Sequence, residues 1–179
     1  MKGALPIFLA IYCCWYLALL PANERALKVA SLYVGHKEEA PNRSPVIDYW
    51  NERIGVPHGS NYCASYVAFV LDSAKVNQPT VRSAVAQHYI TKQSVSATRV
   101  VSGKTIPKGS LVIWKRGTSW MGHVEFVRED WSGYRGLTIG ANTTSGQAGD
   151  QRQGNGVYKR QRHIDQTAFF RITDFTLLY

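Results

Sequence analysis

Residues Ser60 to Lys75 constrain this chain more than any other stretch. Ala64, Val67, Ala68, Leu71 and Ala74 recur at three-and-four spacing, the pattern of a helix buried along one side. Ser60 and Asn61, just upstream, are good helix caps. Cys63 falls in the first turn. A thiol there meets unpaired backbone N–H groups and the positive end of the helix dipole, both of which favour the thiolate. Two readings stay open on these residues alone: a nucleophile at a helix N-terminus, or a buried structural cysteine, since free Cys is among the most buried residue types.

The other two cysteines, Cys13 and Cys14, lie in an apolar leader. Met1-Lys2-Gly3 precedes a run from Ala4 to Ala22 without charge, broken by Pro21. This reads as a secretory signal peptide cut after Ala22, or as a retained membrane anchor over residues 4–22, because the run approaches the ~18–20 residues that span a bilayer. Leu20 stands where a signal peptidase prefers a small residue. Neither Cys13 nor Cys14 follows a small residue as a lipid-attachment site requires. The expected location is therefore the periplasm, the cell envelope or the medium. Outside the leader Cys63 stands alone, and a lone thiol exported through an oxidising compartment favours a working cysteine over an idle one.

With 45% hydrophobic and 12% aromatic residues, 179 residues suffice for one domain with a real core, expected over residues 23–179. Net charge is +9, one less once Lys2 leaves with the leader. Such a surface is drawn to polyanions, including anionic wall polymers and lipid surfaces. The one basic cluster, Lys159-Arg160-Gln161-Arg162-His163, carries no nucleic-acid motif and reads as a solvated strand face, so no nucleic-acid partner is expected.

Helical patterns come first. Asn23-Glu24 caps a helix through Ala26, Leu27, Ala30, Tyr33 and Val34 that ends at Gly35, and Val46 to Ile54 follows with Pro45 at its start and Gly55 at its end. After the Cys63 helix, Asn77-Gln78-Pro79 breaks the chain and Thr80 to Tyr89 reads as a short helix. Strand patterns follow at Ser110–Trp114, Gly122–Val127, Gly136–Asn142, Gly156–Arg160 and Ala168–Ile172. Helices first and strands second predict an α+β domain, helices packed on an antiparallel sheet.

Five histidines compete to partner Cys63: His36, His58, His88, His123 and His163. Only His123 begins an alternating strand, with Val124 and Phe126 facing one way and His123 and Glu125 the other. Spatial pairing of Cys and His is the usual mark of thiol hydrolases. His58 is the runner-up, in a Pro-His-Gly turn. No two histidines share helical ligand spacing and no phosphate-binding glycine loop occurs, so the reading carries no metal and no cofactor.

Three blocks together resemble the CHAP domain, the cysteine, histidine-dependent amidohydrolase/peptidase family. They are Asn61-Tyr62-Cys63-Ala64-Ser65-Tyr66-Val67, the stretch from Gly109 through Trp114 to Gly122-His123-Val124, and Thr138 to Thr143 with Gly154 to Tyr158. The resemblance spans roughly Asn23 to Ile164. It implies a papain-like fold and cleavage of peptidoglycan amides, with Cys63 as nucleophile, His123 as base and Asn142 orienting the imidazole. The oxyanion would meet the Cys63 N–H and a second donor from Asn61 or Tyr62, Asn61 being equally a plain helix cap. One departure stands out: many members carry an acidic residue two positions before this asparagine, where this chain has Gly140. Either Asn142 serves alone, Glu125 compensates from the histidine strand, or activity is reduced; strand alternation by itself reads Glu125 as a surface carboxylate.

The expectation is an exported hydrolase of wall peptides, an N-acetylmuramoyl-L-alanine amidase or an endopeptidase. It would act as a monomer on peptidoglycan, with an immunity protein as a further partner if it attacks other cells. The alternatives are a wall-binding module with weakened catalysis, motivated by Gly140, and a cysteine peptidase or toxin acting on protein. Specificity would lie in the loops 117–122 and 143–156.

Overall fold

The computed structural model describes residues 19–76, 81–145, 154–164 and 170–178. Residues 1–18, which hold nearly all of the leader, lie outside the described residues, as do Asn77–Thr80 and the first two residues of the strand expected at Ala168. The protein is α+β: the described residues form four α-helices and one six-stranded antiparallel sheet. The helices are α1 (Ala22–Ser31), α2 (Pro45–Arg53), α3 (Cys63–Ser73) and the short α4 (Ala97–Val101). The strands are β1 (Val95–Ser96), β2 (Leu111–Arg116), β3 (Gly122–Val127), β4 (Arg135–Thr143), β5 (Gly156–His163) and β6 (Phe170–Thr176), in the spatial order β1-β6-β2-β3-β4-β5. Among the described residues no helix is long and apolar enough to cross a membrane.

Local chemistry explains the helix ends. The Ser44 hydroxyl accepts the Ile47 N–H at 3.1 Å, Pro45 fills the first position of α2, and Gly55 follows in the left-handed region at φ 72°. Two expected caps do not form. Asn23 lies inside α1, its amide donating to the Lys108 carbonyl at 2.7 Å, and α3 starts from Tyr62 with no side-chain cap. The helix expected over residues 80–89 is a single 3₁₀ turn, Ala86–Tyr89. The β-branched Val81 and Val85 favour extended backbone, and the Ser83 hydroxyl takes the Val85 N–H, which competes with helix. Position 22, the expected end of the leader, is a buried residue of α1.

Both faces of the sheet are covered. On one, Ala26, Ala30, Ile47, Trp50, Tyr66, Val67 and Val70 of α1–α3 pack on Leu111, Ile113, Val124, Phe126, Ile139, Ala141 and Val157. Trp50, Tyr33, Tyr66 and Phe69 form an aromatic knot there, and the Tyr66 hydroxyl donates to the Ala30 carbonyl at 2.7 Å. On the other face, Val100, Ile106 and Trp131 cover Val112, Trp114, Val127, Ile172 and Phe175. At the far end of α3, the Arg25 guanidinium donates to the carbonyls of Ala74 and Lys75 and, at 2.6 Å, to that of Leu20. One side chain thus closes α3 and secures the chain that enters α1.

Candidate active site

Cys63 sits at the N-terminus of α3, free and buried. Because no side chain caps this helix, the N–H groups of its first turn stay available to a ligand oxygen. His123 enters from β3, and its side chain lies close enough to that of Cys63 for the two to interact electrostatically. Its Nε2 contacts Glu125 Oε1 at 2.9 Å, which leaves Nδ1 to face the sulfur. The Trp114 ring stands edge-on to the imidazole with centroids 5.4 Å apart, and Trp114 is paired with His123 across β2 and β3.

Glu125 is fully buried, which corrects its reading as a surface carboxylate. Alternation does put it opposite the apolar face of β3, but on that face His123 and Arg162 enclose it. Gly140 provides the room: a Cβ built there would lie 2.3 Å from Glu125 Oε1 and 2.4 Å from its Cγ. The position that departs from the CHAP pattern is therefore filled by a carboxylate from the neighbouring strand. Gly136, also on β4, makes room in the same way for the Trp131 indole.

Arg162 of β5 completes the group. Its Nε donates to Glu125 Oε2 at 3.0 Å, and its Nη2 donates to Glu125 Oε1 and, at 2.9 Å, to Thr143 Oγ1. Its guanidinium lies over the Trp114 ring at 5.4 Å. Arg160 is likewise buried, so the basic cluster is not a solvated strand face: Lys159 and Gln161 face water while Arg160 and Arg162 point inward.

Asn142 does not reach His123 through any hydrogen bond given by its amide; its Nδ2 donates to Asn61 Oδ1 at 3.0 Å. Asn142 is the extra residue of a β-bulge, since Ala141 pairs with Val157 and Thr143 with Gly156, and its φ of 54° is one that Asn tolerates. The bulge turns the side chain toward the loop before α3. Asn61 is exposed and does not cap α3; with its carbonyl oxygen held by Asn142, its amide N–H₂ remains to donate. The Tyr62 ring is buried and its hydroxyl donates to Glu38 Oε1 at 2.9 Å, so of the two expected second donors the geometry favours Asn61.

Three of the other histidines are engaged elsewhere. His36 meets Ser44 Oγ at 2.8 Å, His88 meets Ser83 Oγ at 2.9 Å, and His58 contacts Glu52 at 2.7 Å on the surface. Among the described residues no group of three or more His, Cys, Asp or Glu side chains could hold a metal ion.

The electrostatics follow from this geometry. Burial alone would lower the His123 pKa, but the charge on Cys63, the hydrogen bond to it and the contact with Glu125 outweigh burial and raise it to about 9. Burial also works against the Glu125 charge, yet Arg162 and the hydrogen bond from His123 hold its carboxyl far below the usual carboxylate range. The His123 imidazolium therefore contributes stability that is fully present below its ordinary value of 6.5 and is lost as pH rises through about 9. A proton NMR titration of the His123 ring should show the imidazolium persisting above 6.5 and lost through about 9, and a ring that gives up its proton near 6.5 would contradict a charged His123.

No protein-family model matches the chain, and no characterised protein or solved structure matches it.

Proposed function

We propose that this chain is a papain-like thiol amidohydrolase acting on the peptide of peptidoglycan. The observation that carries the reading is a thiol at the uncapped start of a buried helix, beside a histidine whose ring is held by a buried, ionised carboxylate. The Cys63 thiolate attacks the amide carbonyl and forms a tetrahedral oxyanion, which the Cys63 N–H and the Asn61 amide receive. The His123 imidazolium gives its proton to the leaving amine as the C–N bond breaks. Water, deprotonated by the now neutral imidazole, then cleaves the thioester and restores the thiol pair. Glu125 holds the ring in place and stabilises its charged form, as the orienting carboxylate of a serine triad does.

The wall as substrate rests on the CHAP resemblance together with the basic surface. The surface beside the base supports a polymeric substrate. Trp120, three residues before His123, is 71% exposed, and the turn that carries it is pinned by Gln87, whose amide donates to the carbonyls of Ser119 and Met121, both at 2.7 Å. A rigid, exposed indole is a ready stacking surface for a sugar or peptide. The weakened-module reading loses its motive, because Glu125 occupies the space at Gly140.

The test is digestion of purified peptidoglycan by the full-length protein, before and after alkylation with iodoacetamide, with products identified by mass spectrometry. Soluble fragments should appear with the untreated protein and stop once the Cys63 peptide is fully alkylated, and their masses name the bond. A wall left intact while casein is cut would shift the reading to a protein-directed peptidase.

A further inference from the structure

We propose that Arg162 is a positioning residue that acts through Glu125: it keeps that carboxylate ionised and aimed at His123, and so keeps the Cys63–His123 pair charged at acidic pH. The geometry is specific to such a role. The guanidinium grips both Glu125 oxygens, bonds Thr143 Oγ1 at 2.9 Å and rests on Trp114, whose ring also flanks His123. Arg162 and Glu125 are both buried, so neither charge is offset by water. A planar fork suits this bidentate grip as a lysine ammonium does not.

The charged and titratable groups around Glu125 come from three elements. His123 lies on its own strand, Arg162 and Arg160 come from β5, and Tyr66 comes from α3. Tyr66 is buried and its ionisation is pushed well above the ordinary tyrosine value, so it adds no charge. Cys63 and Glu125 are the charges that raise the His123 pKa. With the guanidinium gone, burial would favour a protonated Glu125, and the imidazolium would lose the partner that sustains it as the medium becomes acid.

Thr143 gives the arginine a second task. It adjoins Asn142, whose amide holds Asn61, so Arg162 links the oxyanion side of the site to the base side through consecutive residues of the bulge.

The inference rests on the proposed thiolate–imidazolium pair, and the experiment reads that pair without any wall substrate. The rate of Cys63 alkylation by iodoacetamide is followed from pH 4 to 10 in the full-length protein, resolved from Cys13 and Cys14 by mass spectrometry of the Cys63 peptide. In the wild type the rate should persist well below the ordinary cysteine range. In Arg162→Met the acid-side onset should move up by at least one pH unit, giving at least tenfold slower alkylation at pH 5 and a near-normal rate at pH 8, and Arg162→Lys, which keeps the charge but not the fork, should recover only part of the shift. A folded Arg162→Met with the wild-type onset overturns the proposal, and so does an equal loss at every pH in both variants, which a purely structural role would give. Should Arg162→Met not fold, Glu125→Gln and the double variant Glu125→Gln/Arg162→Met, which buries no lone charge, decide. Identical profiles support action through Glu125, and a further shift from the arginine change overturns it. A wild-type Cys63 that titrates as an ordinary thiol defeats the pair itself, and the proposal with it.

Discussion

Gly140→Ala should lower wall-digesting activity by about 10²-fold or more, the scale expected when a positioning contact is displaced by about an ångström. The added methyl would stand 2.3–2.4 Å from three atoms of Glu125, closer than any real contact. The sheet cannot yield, because β4 is held between β3 and β5. The Glu125 side chain must therefore swing away, giving up its bonds to His123 and Arg162, and overpacking adds about 1–3 kcal/mol of destabilisation. Steady-state rates and circular dichroism on the same preparation check this. Exchanging the two side chains, Glu125→Gly with Gly140→Asp, removes the clash, returns a carboxylate from β4 and should recover part of the rate. If Gly140→Ala alone is fully active, Glu125 does not orient the base.

Glu125→Ala should be the most destabilising single change at the site, by about 3–5 kcal/mol, because it leaves Arg162 charged and buried with its main partner gone. The double variant Glu125→Ala/Arg162→Met should be more stable than Glu125→Ala alone, since the orphaned charge leaves with the arginine. Urea unfolding of the three proteins supplies the comparison. Equal midpoints for the single and double variants would mean that the guanidinium finds water or another acceptor, and that the pair is less dry than its burial indicates.

The legible parts of the sequence were those governed by local periodicity and turn chemistry. The spacing of Ala64, Val67, Ala68 and Leu71 announces α3, Ser44-Pro45 and Gly55 bracket α2, and the alternation in Gly122–Val127 marks β3. The Cys63–His123 approach was likewise readable, since a thiol at a helix start and a histidine at a strand start both carry local signatures. What escaped were consequences of two-sided burial. Glu125 and Arg162 follow the polar-out alternation of one-sided strands, which predicts a solvent-facing position, yet the second face of the sheet carries a core of its own, and nothing near either residue announces it. The alternation of Arg160 and Arg162 with Lys159 and Gln161 was the one available hint that two of the four basic or polar side chains share an inward face. Asn142 was taken as the orienter of His123 from its place in the resemblance; its turn toward Asn61 depends on a bulge that only the pairing of β4 with β5 makes visible.

The clamp by Arg25 has a practical corollary. Leu20 is tied to the carboxyl end of α3, while Cys63 occupies its amino end, 11 residues away, a separation of ~16 Å along the axis. Leu20 thus offers a point of attachment at the end of α3 remote from Cys63. Immobilising the protein through Leu20 should therefore leave the Cys63 end of α3 on the side away from the support.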